Sequence, residues 1–418
     1  MPFSGSDLAV AGDVLLDRLR QLARIGADPA GGVTRLAYSP EDVRARDTVA
    51  AWMVAAGLEV WLDEATNLFG RLPGRDPQAA AVLTGSHLDS VLRAGTLDGP
   101  AGVVAALAAA EALRASGRAL RHDLVVVAFG NEEGARGTPG MVGSKSMAGL
   151  LTPEDLARPG DGGVTLAQRL CAAGGDPDRI TRAAWSPQRV AAFVELHIEQ
   201  GPILEAERAR IGVVSSITGQ VGVTATITGA ANHAGSTPMT QRRDAAVAAA
   251  HLVLAVEALA NDGHVRVATT GILELAPGAR NVIPGAAVLG IDIRDGDAAR
   301  MVGALASLDR AAAEVAARTG TTIRLTTGPV QRPVPTDRQL AGHIIDAAEG
   351  LGARWCELTS GAGHDAQVMA TLAPTAMVFV PSVGGVSHSP CEDTDPDDLV
   401  LGADVLLRTL VAADAELP

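Results

Sequence analysis

The stretch that decides the fold is residues 79–130, AAAVLTGSHLDSVLRAGTLDGPAGVVAALAAAEALRASGRALRHDLVVVAFG. It starts with an apolar run at 79–85 and ends with another at 124–130, each with the length and continuous apolarity of a strand buried on both faces. The Ala- and Leu-rich segment 101–117 between them follows a proline and ends on a glycine, as helices often do. Strand, crossover helix and strand predict a βαβ unit and therefore a parallel sheet.

Similar apolar runs at 190–197 and 375–382 enlarge the predicted sheet, whereas residues 211–328 show partial alternation of apolar and polar residues. In that stretch the predicted strands are 221–229, 265–275, 286–294 and 321–327, and the predicted helices are 243–260 and 296–318. The order strand, helix, strand, strand, helix, strand is typical of a small two-layer α+β sandwich.

The fold class that follows is α/β, with a catalytic domain built on a mixed, largely parallel sheet flanked by helices. We expect this domain to comprise residues 1–210 and 329–418, interrupted by an inserted α+β sandwich over 211–328. At about 150 residues per domain, a chain of 418 residues is long enough for two to three domains, which agrees with a catalytic domain and an inserted one.

The amino-acid composition argues against nucleic acid and membranes as partners. The chain has 48 acidic and 34 basic residues, and a net charge of −14 repels nucleic acid and anionic membrane surfaces. Aromatic residues make up only 2% of the chain, too few for the stacking platforms of single-strand binders. We therefore expect a small-molecule substrate, with no nucleic acid and no membrane partner.

The cysteines and the first residues bear on the compartment. Cys171, Cys356 and Cys391 lie far apart, which indicates neither a disulfide framework nor a zinc–thiolate site. The sequence begins MPFSGSDLAV, without the pattern of a signal peptide, and contains no apolar run long enough to span a membrane. We expect a cytoplasmic protein.

Five of the nine histidines lie in loops rich in Gly, Ser, Asn or acidic residues: His87, His197, His233, His364 and His388. The other four are interpreted as solvated or core side chains: His122, His251, His264 and His343.

Three of the loop histidines, His87, His197 and His388, follow or end a predicted buried strand, and so does the acidic pair Glu132 and Glu133. Ligand sites of open α/β sheets lie at the carboxyl ends of strands, so these segments are expected to meet. Each alone has an ordinary alternative, because GNEEG could be a solvated turn and VSHSP an exposed loop. Their convergence is what predicts a site.

Three histidines with two or three carboxylates suit two divalent ions such as Zn, Mn, Co or Ni, bridged by one carboxylate. Two such ions can activate water and polarise a carbonyl group. A carboxylate that stays off the metals is needed to carry the proton, and either Glu132 or Glu133 can fill that role. Asp89 is placed to orient the His87 ring, although it could also be only a turn former.

Several motifs together resemble a known family. They are TGSHLDS (84–90), LDGPAGV (97–103), GNEEG (130–134), ELHIEQGPILE (195–205), GAANHAGSTPM (229–239), ARNVIPG (279–285), SGAGHDA (360–366) and VSHSPCED (386–393). They resemble the hydantoinase/carbamoylase branch of the M20 dinuclear metallohydrolases. This branch contains N-carbamoyl-L-amino acid hydrolases, β-ureidopropionases and allantoate amidohydrolases.

The resemblance implies roles for individual residues. The implied metal ligands are His87, Asp98, Glu133, His197 and His388. Asp98 is then the bridging ligand and Glu132 the general base. The residues implied to bind the substrate or to polarise its carbonyl group are Gln200, His233, Asn281, Arg294 and His364. The resemblance further implies that the inserted domain is a lid and the homodimer contact, with His233 donated by the partner subunit.

The function that follows is metal-dependent hydrolysis of a linear ureido compound, most simply an N-carbamoyl-L-amino acid, to amino acid, CO2 and ammonia. Asp292 and Arg294 share one face of a predicted strand, where the planar guanidinium can bind a substrate carboxylate at two points. Allantoate amidohydrolase is the alternative, because its motifs overlap almost completely. A metal-free binding protein on the same fold is a third possibility, although no implied ligand is missing.

Overall fold

The computed structural model describes residues 8–418, which form two compact units. The first unit consists of the described residues up to Ser215 together with Thr336–Pro418. The second consists of Ser216–Pro335. None of the helices in the described part combines the length and apolarity needed to cross a bilayer.

The strands are β1 (Glu59–Leu62), β2 (Leu68–Leu72), β3 (Ala81–His87), β4 (Leu124–Phe129), β5 (Val190–Ile198), β6 (Ile211–Ile217), β7 (Gly219–Thr228), β8 (Asn232–His233), β9 (Val267–Ala276), β10 (Val282–Ile283), β11 (Ala286–Asp295), β12 (Thr322–Gln331), β13 (Val334–Pro335), β14 (Trp355–Ser360) and β15 (Thr375–Val380). The α-helices are α1 (Gly12–Ala23), α2 (Pro40–Ala55), α3 (Pro100–Ala115), α4 (Val142–Met147), α5 (Pro153–Ala157), α6 (Leu166–Ala172), α7 (Ile203–Glu207), α8 (Ala245–Asn261), α9 (Ala298–Thr319), α10 (Arg338–Gly350), α11 (Asp365–Met369) and α12 (Pro396–Glu416).

The large sheet is mixed, with the strand order β1-β2-β4-β3-β5-β15-β6-β13 and with β14 also paired to β6. The central strands β4, β3, β5 and β15 are parallel to one another. The pairs β1–β2, β2–β4, β15–β6 and β6–β13 are antiparallel. These central strands are the four apolar runs of the sequence, so the prediction of a largely parallel sheet is confirmed. Because parallel strands end at one edge, the loops after them emerge side by side.

The main apolar cluster covers one face of this sheet. It contains the even-numbered residues of 192–198 in β5 together with residues of α1, α3, α10 and α12. Successive side chains of a strand point to opposite faces, so Glu195 and His197 point away from this cluster. The predicted crossover helix is α3, which contributes most of its residues to the cluster.

The second unit is a two-layer α+β sandwich, as predicted. Its antiparallel sheet has the order β12-β7-β11-β9, and β8 pairs with β10 beside it. Alternate residues of β7 and β11 are buried against apolar residues of α8 and α9. The other face of β11 carries Asp292 and Arg294, which confirms that these two side chains share a strand face.

The inserted unit was predicted at 211–328, and both boundaries require correction. Residues 212 and 213 of β6 pair with β15, so the start of β6 belongs to the large sheet and the unit begins at Ser216. At the other end β12 continues to Gln331 and β13 follows, so the unit ends at Pro335. The sequence pattern located the four long strands of the sandwich, but it predicted neither β6 nor the end of β12 beyond residue 327, and these two elements set the boundaries.

Candidate metal centre

The loops at the carboxyl ends of the four central strands carry the predicted metal-binding residues. His87 is the last residue of β3, and His197 lies one residue before the end of β5. The loop after β4 carries Glu132 and Glu133, and the loop after β15 carries His388. Asp98 comes from the segment that leads from β3 into α3. The topology therefore brings these residues to one edge of the sheet, as predicted.

Asp98 lies at the centre of the cluster and is buried. Its Oδ1 is 3.6 Å from His87 Nε2 and 3.1 Å from His197 Nε2. Its Oδ2 is 3.0 Å from His388 Nε2, which is in turn 3.6 Å from Glu133 Oε1. The two oxygens of one carboxylate thus face two separate groups of potential ligands, each compact enough to hold an ion.

The histidine rings are oriented by main-chain oxygens. His87 Nδ1 lies 3.0 Å from the carbonyl oxygen of Asp89, and His197 Nδ1 lies 2.9 Å from that of Ile198. A carbonyl oxygen only accepts, so Nδ1 carries the proton and Nε2 of the neutral ring has a lone pair. In each ring that lone pair faces the Asp98 carboxylate.

This arrangement fits a metal better than a hydrogen-bond network. His197 Nε2 and Glu133 Oε1 are buried and have no hydrogen-bond partner among the described residues. Buried polar atoms are rarely left unsatisfied, and imidazole nitrogens facing carboxylate oxygens are the ligands of borderline divalent ions. The residues present therefore fit one ion at His87, Asp98 and His197 and another at Asp98, Glu133 and His388.

Asp89 contacts the His87 ring through its main-chain oxygen, whereas its carboxylate holds the next loop. The nearest approach of its carboxylate to the His87 ring is 3.7 Å, and its main-chain oxygen makes the closer contact described above. The carboxylate instead accepts the main-chain N–H groups of Glu132 at 3.1 Å and Glu133 at 3.2 Å. Asp89 therefore joins the loop after β3 to the loop after β4 and positions the two glutamates.

Two residues predicted to bind the substrate lie within the first unit. Gln200 donates from Nε2 to Asp98 Oδ2 at 2.9 Å, so it touches the cluster directly. His364 is 3% exposed, and its Nε2 lies 2.8 Å from the Ser360 hydroxyl. Its ring packs edge-on against the His197 ring, with 4.6 Å between the ring centroids. His364 therefore lies in the protein interior, in contact with the His197 ring.

The sequence analysis missed two buried acidic residues near the cluster, Glu195 and Asp365. Glu195 Oε1 accepts the Ser86 hydroxyl at 2.6 Å, and Oε2 accepts the N–H of Ala366 at 3.0 Å. Asp365 accepts the Ser144 hydroxyl at 2.5 Å. The available signal for Glu195 was an acid within an otherwise apolar strand, two residues before His197.

The backbone is strained in three of the loops. Asn131, Gln200 and His388 have φ values of 55°, 58° and 52°, in the left-handed region that non-glycine residues seldom adopt. Gly99, after Asp98, has a φ of 82°, and a Cβ there would overlap the His87 ring. Such strain is typical of functional sites, where the surroundings enforce it.

Burial and neighbouring charges shift the pKa values of the cluster. Burial alone would raise the pKa of Asp98, but His197, His388 and His87, when their rings are protonated, outweigh burial and hold it well below its usual value. Burial, and then the nearby Asp98 charge, raise the pKa of Glu133 to about 7. Burial is also the main cause of the raised pKa of Glu132. The contact with Asp98 raises the pKa of His388 to about 9.

The remaining predicted residues belong to the second unit. His233 Nδ1 accepts the N–H groups of Gly235 at 3.0 Å and Ser236 at 3.1 Å, so the neutral ring carries its proton on Nε2. Asn281 lies beside it, because its carbonyl oxygen accepts the N–H of Ala234 at 3.0 Å.

Arg294 in β11 also belongs to the second unit. Its guanidinium donates to both carboxylate oxygens of Asp292, at 2.9 Å and 3.2 Å. Asp292 therefore orients the guanidinium of Arg294.

Comparison with known proteins agrees with the resemblance found in the motifs. A model of the peptidase family M20/M25/M40 matches residues 83–412. The N-carbamoyl-L-amino acid amidohydrolase of Geobacillus stearothermophilus is 42% identical over 411 residues, which cover 96% of this chain and 98% of that protein. The allantoate amidohydrolase of Escherichia coli strain K12 is 38% identical over 397 residues, covering 94% of this chain and 96% of that protein.

A solved structure gives the same result. The amidase of the hydantoinase/carbamoylase family from Burkholderia multivorans has a TM-score of 0.90 and 40% identity, and the match covers 99% of this chain and 100% of that one. The resemblance to this branch is thereby confirmed. The chain belongs to the peptidase family M20/M25/M40 and is similar to its hydantoinase/carbamoylase amidases.

Proposed function

We propose that this protein uses two divalent ions to remove the carbamoyl group of an N-carbamoyl-L-amino acid, giving the amino acid, CO2 and ammonia. It is a hydrolase that acts on carbon–nitrogen bonds other than peptide bonds in linear amides. The observation that carries the proposal is the position of Asp98, whose two oxygens face two groups of potential ligands.

The ligand roles follow from this geometry. His87, Asp98 and His197 would hold one ion, and Asp98, Glu133 and His388 the other, with Asp98 shared. Zn, Mn, Co and Ni suit this mixture of imidazole and carboxylate. Two such ions supply Lewis-acid activation of water and of the substrate carbonyl group.

Glu132 is proposed as the general base, because it belongs to neither ligand group and stands next to Glu133. Its carboxylate takes a proton from water and later gives it to the leaving nitrogen. Asp89 fixes the main chain at Glu132, which sets the direction of the side chain. Neighbouring cations would favour the ionised form of Glu132 and so oppose the effect of its burial.

The second unit is proposed to bind the rest of the substrate and to form the homodimer contact. His233 is suited to polarise the substrate carbonyl oxygen, because its Nε2 is the donating atom. We propose that it completes the site of the partner subunit. Arg294 is proposed to bind the substrate carboxylate, with Asn281 and Gln200 as further polar contacts.

Allantoate is the second candidate substrate, because the chain is 38% identical to an allantoate amidohydrolase and allantoate also carries a carboxylate. The test is ammonia release from a panel of N-carbamoyl-L-amino acids and from allantoate, compared by kcat/KM. A preference for carbamoyl amino acids supports the proposal. A preference for allantoate assigns the alternative, and activity on neither contradicts both.

Removal of metal is expected to abolish turnover. Dialysis against a chelator should give an inactive protein, and titration with Mn²⁺ or Zn²⁺ should restore activity in proportion to two bound ions per subunit, because five ligands exceed the need of one tetrahedral site. Elemental analysis measures the stoichiometry. A fully active preparation with one ion per subunit would contradict the dinuclear centre.

Replacement of Arg294 by Lys is expected to raise KM by roughly tenfold to hundredfold for ureido substrates that carry a carboxylate, because an ammonium group cannot make the two-point contact. A ureido compound without a carboxylate should show little change. Arg324→Lys, on β12 of the same sheet, is the matched control and should behave as wild type. Equal effects of Arg294→Lys on both substrate types would refute carboxylate recognition.

A further inference from the structure

Glu392 is a buried carboxylate in the loop between β15 and α12, four residues after His388. Its Oε1 accepts the main-chain N–H groups of Leu97 at 3.0 Å and Asp98 at 3.1 Å. Its Oε2 accepts the hydroxyl of Ser387 at 2.8 Å. One side chain therefore holds the main chain at Asp98 and also the residue next to His388.

The glycine at position 95 leaves the space that this carboxylate occupies. A Cβ atom on residue 95 would overlap the carboxylate and the stem of Glu392. The backbone of Gly95 does not itself require glycine, because its φ lies outside the left-handed region. The space that Glu392 occupies therefore explains the glycine, which is a second observation for a defined position of the carboxylate.

The two groups of ligands are held with different rigidity. His87 and His197 lie on central strands, and their Nδ1 atoms contact main-chain oxygens. His388 lies on a loop, with a left-handed φ of 52° and a side chain that is 48% exposed. A strained residue keeps its conformation only when neighbouring contacts enforce it. The hydrogen bond between Glu392 and Ser387 is such a contact.

We propose that Glu392 is a positioning residue that fixes His388 relative to Asp98 and thereby sets the affinity of the ion site formed by Asp98, Glu133 and His388. This inference rests on the proposed dinuclear centre. Hydrogen-bond partners of metal ligands typically change metal affinity by about 10-fold to 100-fold. Loss of Glu392 is therefore expected to weaken this site by that factor. The site at His87 and His197 shares Asp98 but should change less, because central strands hold its two histidines.

The test counts bound Mn²⁺. Metal-free wild type, Glu392→Ala and Glu392→Gln are dialysed to equilibrium against buffered free Mn²⁺, and bound metal is measured by elemental analysis. Glu392→Ala should keep one tightly bound ion and bind the second about 10-fold to 100-fold more weakly. Glu392→Gln should bind both nearly as well as wild type, because its amide oxygen can accept both N–H groups and its amide nitrogen can donate to Ser387.

Two results would overturn the positioning role. One is Glu392→Ala with wild-type affinity for both ions. The other is Glu392→Gln as weak as Glu392→Ala, which would make the charge, and not the position, the important property. If wild type itself binds only one ion, the proposed function fails, and that failure is separate from either result on Glu392.

Asp414→Ala is the matched control for a simple loss of stability. The Asp414 carboxylate is buried and accepts the N–H groups of Arg121 and His122, each at 2.9 Å, much as Glu392 holds Leu97 and Asp98. This variant should lower Tm without changing the binding of Mn²⁺. If it loses the second ion as Glu392→Ala does, the effect is general destabilisation and the inference is wrong.

Discussion

Glu132→Gln is expected to retain both ions and to lose kcat by at least about 100-fold, because removal of a general base typically costs two to four orders of magnitude. The amide is nearly isosteric with the carboxylate, so the loop held by Asp89 should keep its conformation. KM should change little, since Glu132 belongs to neither ligand group. Kinetics together with elemental analysis of bound metal measure both quantities.

Glu133→Gln is the matched comparison, because it makes the same chemical change at the adjacent residue. Glu133 faces His388 and belongs to a ligand group, so its amide variant should lose affinity for one ion. Added metal should therefore restore part of the activity of Glu133→Gln but none of that of Glu132→Gln. If both variants lose metal to the same extent, Glu132 is a ligand and its assignment as base is wrong.

The architecture could be predicted because its signals are local. Continuous apolar runs identified the central strands, and the alternation in residues 211–328 identified the sandwich. The boundary near residue 211 could not be predicted, because it depends on the pairing of β6 with β15, whose residues are far apart in sequence. Pairing between distant strands leaves no mark on either strand alone.

The candidate site, like the fold, could be predicted from the sequence only in part. The topology rule placed His87, Glu133, His197 and His388 at one edge of the sheet, but only the resemblance implied Asp98 as the shared carboxylate. The structure shows Asp98 between the histidines and Asp89 hydrogen-bonded to main-chain N–H groups. Contacts such as those of Glu392 with Leu97 and Asp98 join residues nearly 300 positions apart and were not predictable from the sequence.

Mixing two inactive variants is expected to restore activity, if His233 completes the site of the partner subunit. His233→Ala alone should lose roughly 100-fold to 1000-fold in kcat, as enzymes do when a donor to a developing oxyanion is removed. Paired with Glu132→Gln in a heterodimer, it gives one site with Glu132 from one subunit and His233 from the other. Tandem purification on two different tags isolates such heterodimers, which should show about half the activity of the wild-type dimer.

A heterodimer of wild type with the double variant His233→Ala/Glu132→Gln gives the opposite expectation. It therefore distinguishes a site shared between subunits from a site supplied by one subunit alone. When sites are shared, each site of that heterodimer lacks either His233 or Glu132, and activity should be lost. When each subunit supplies its whole site, the wild-type subunit should keep about half the dimer activity, and the two single variants should not complement. The second pattern would place His233 in the site of its own subunit, and it would leave the assignment of Asp98, Glu132 and Glu133 unchanged.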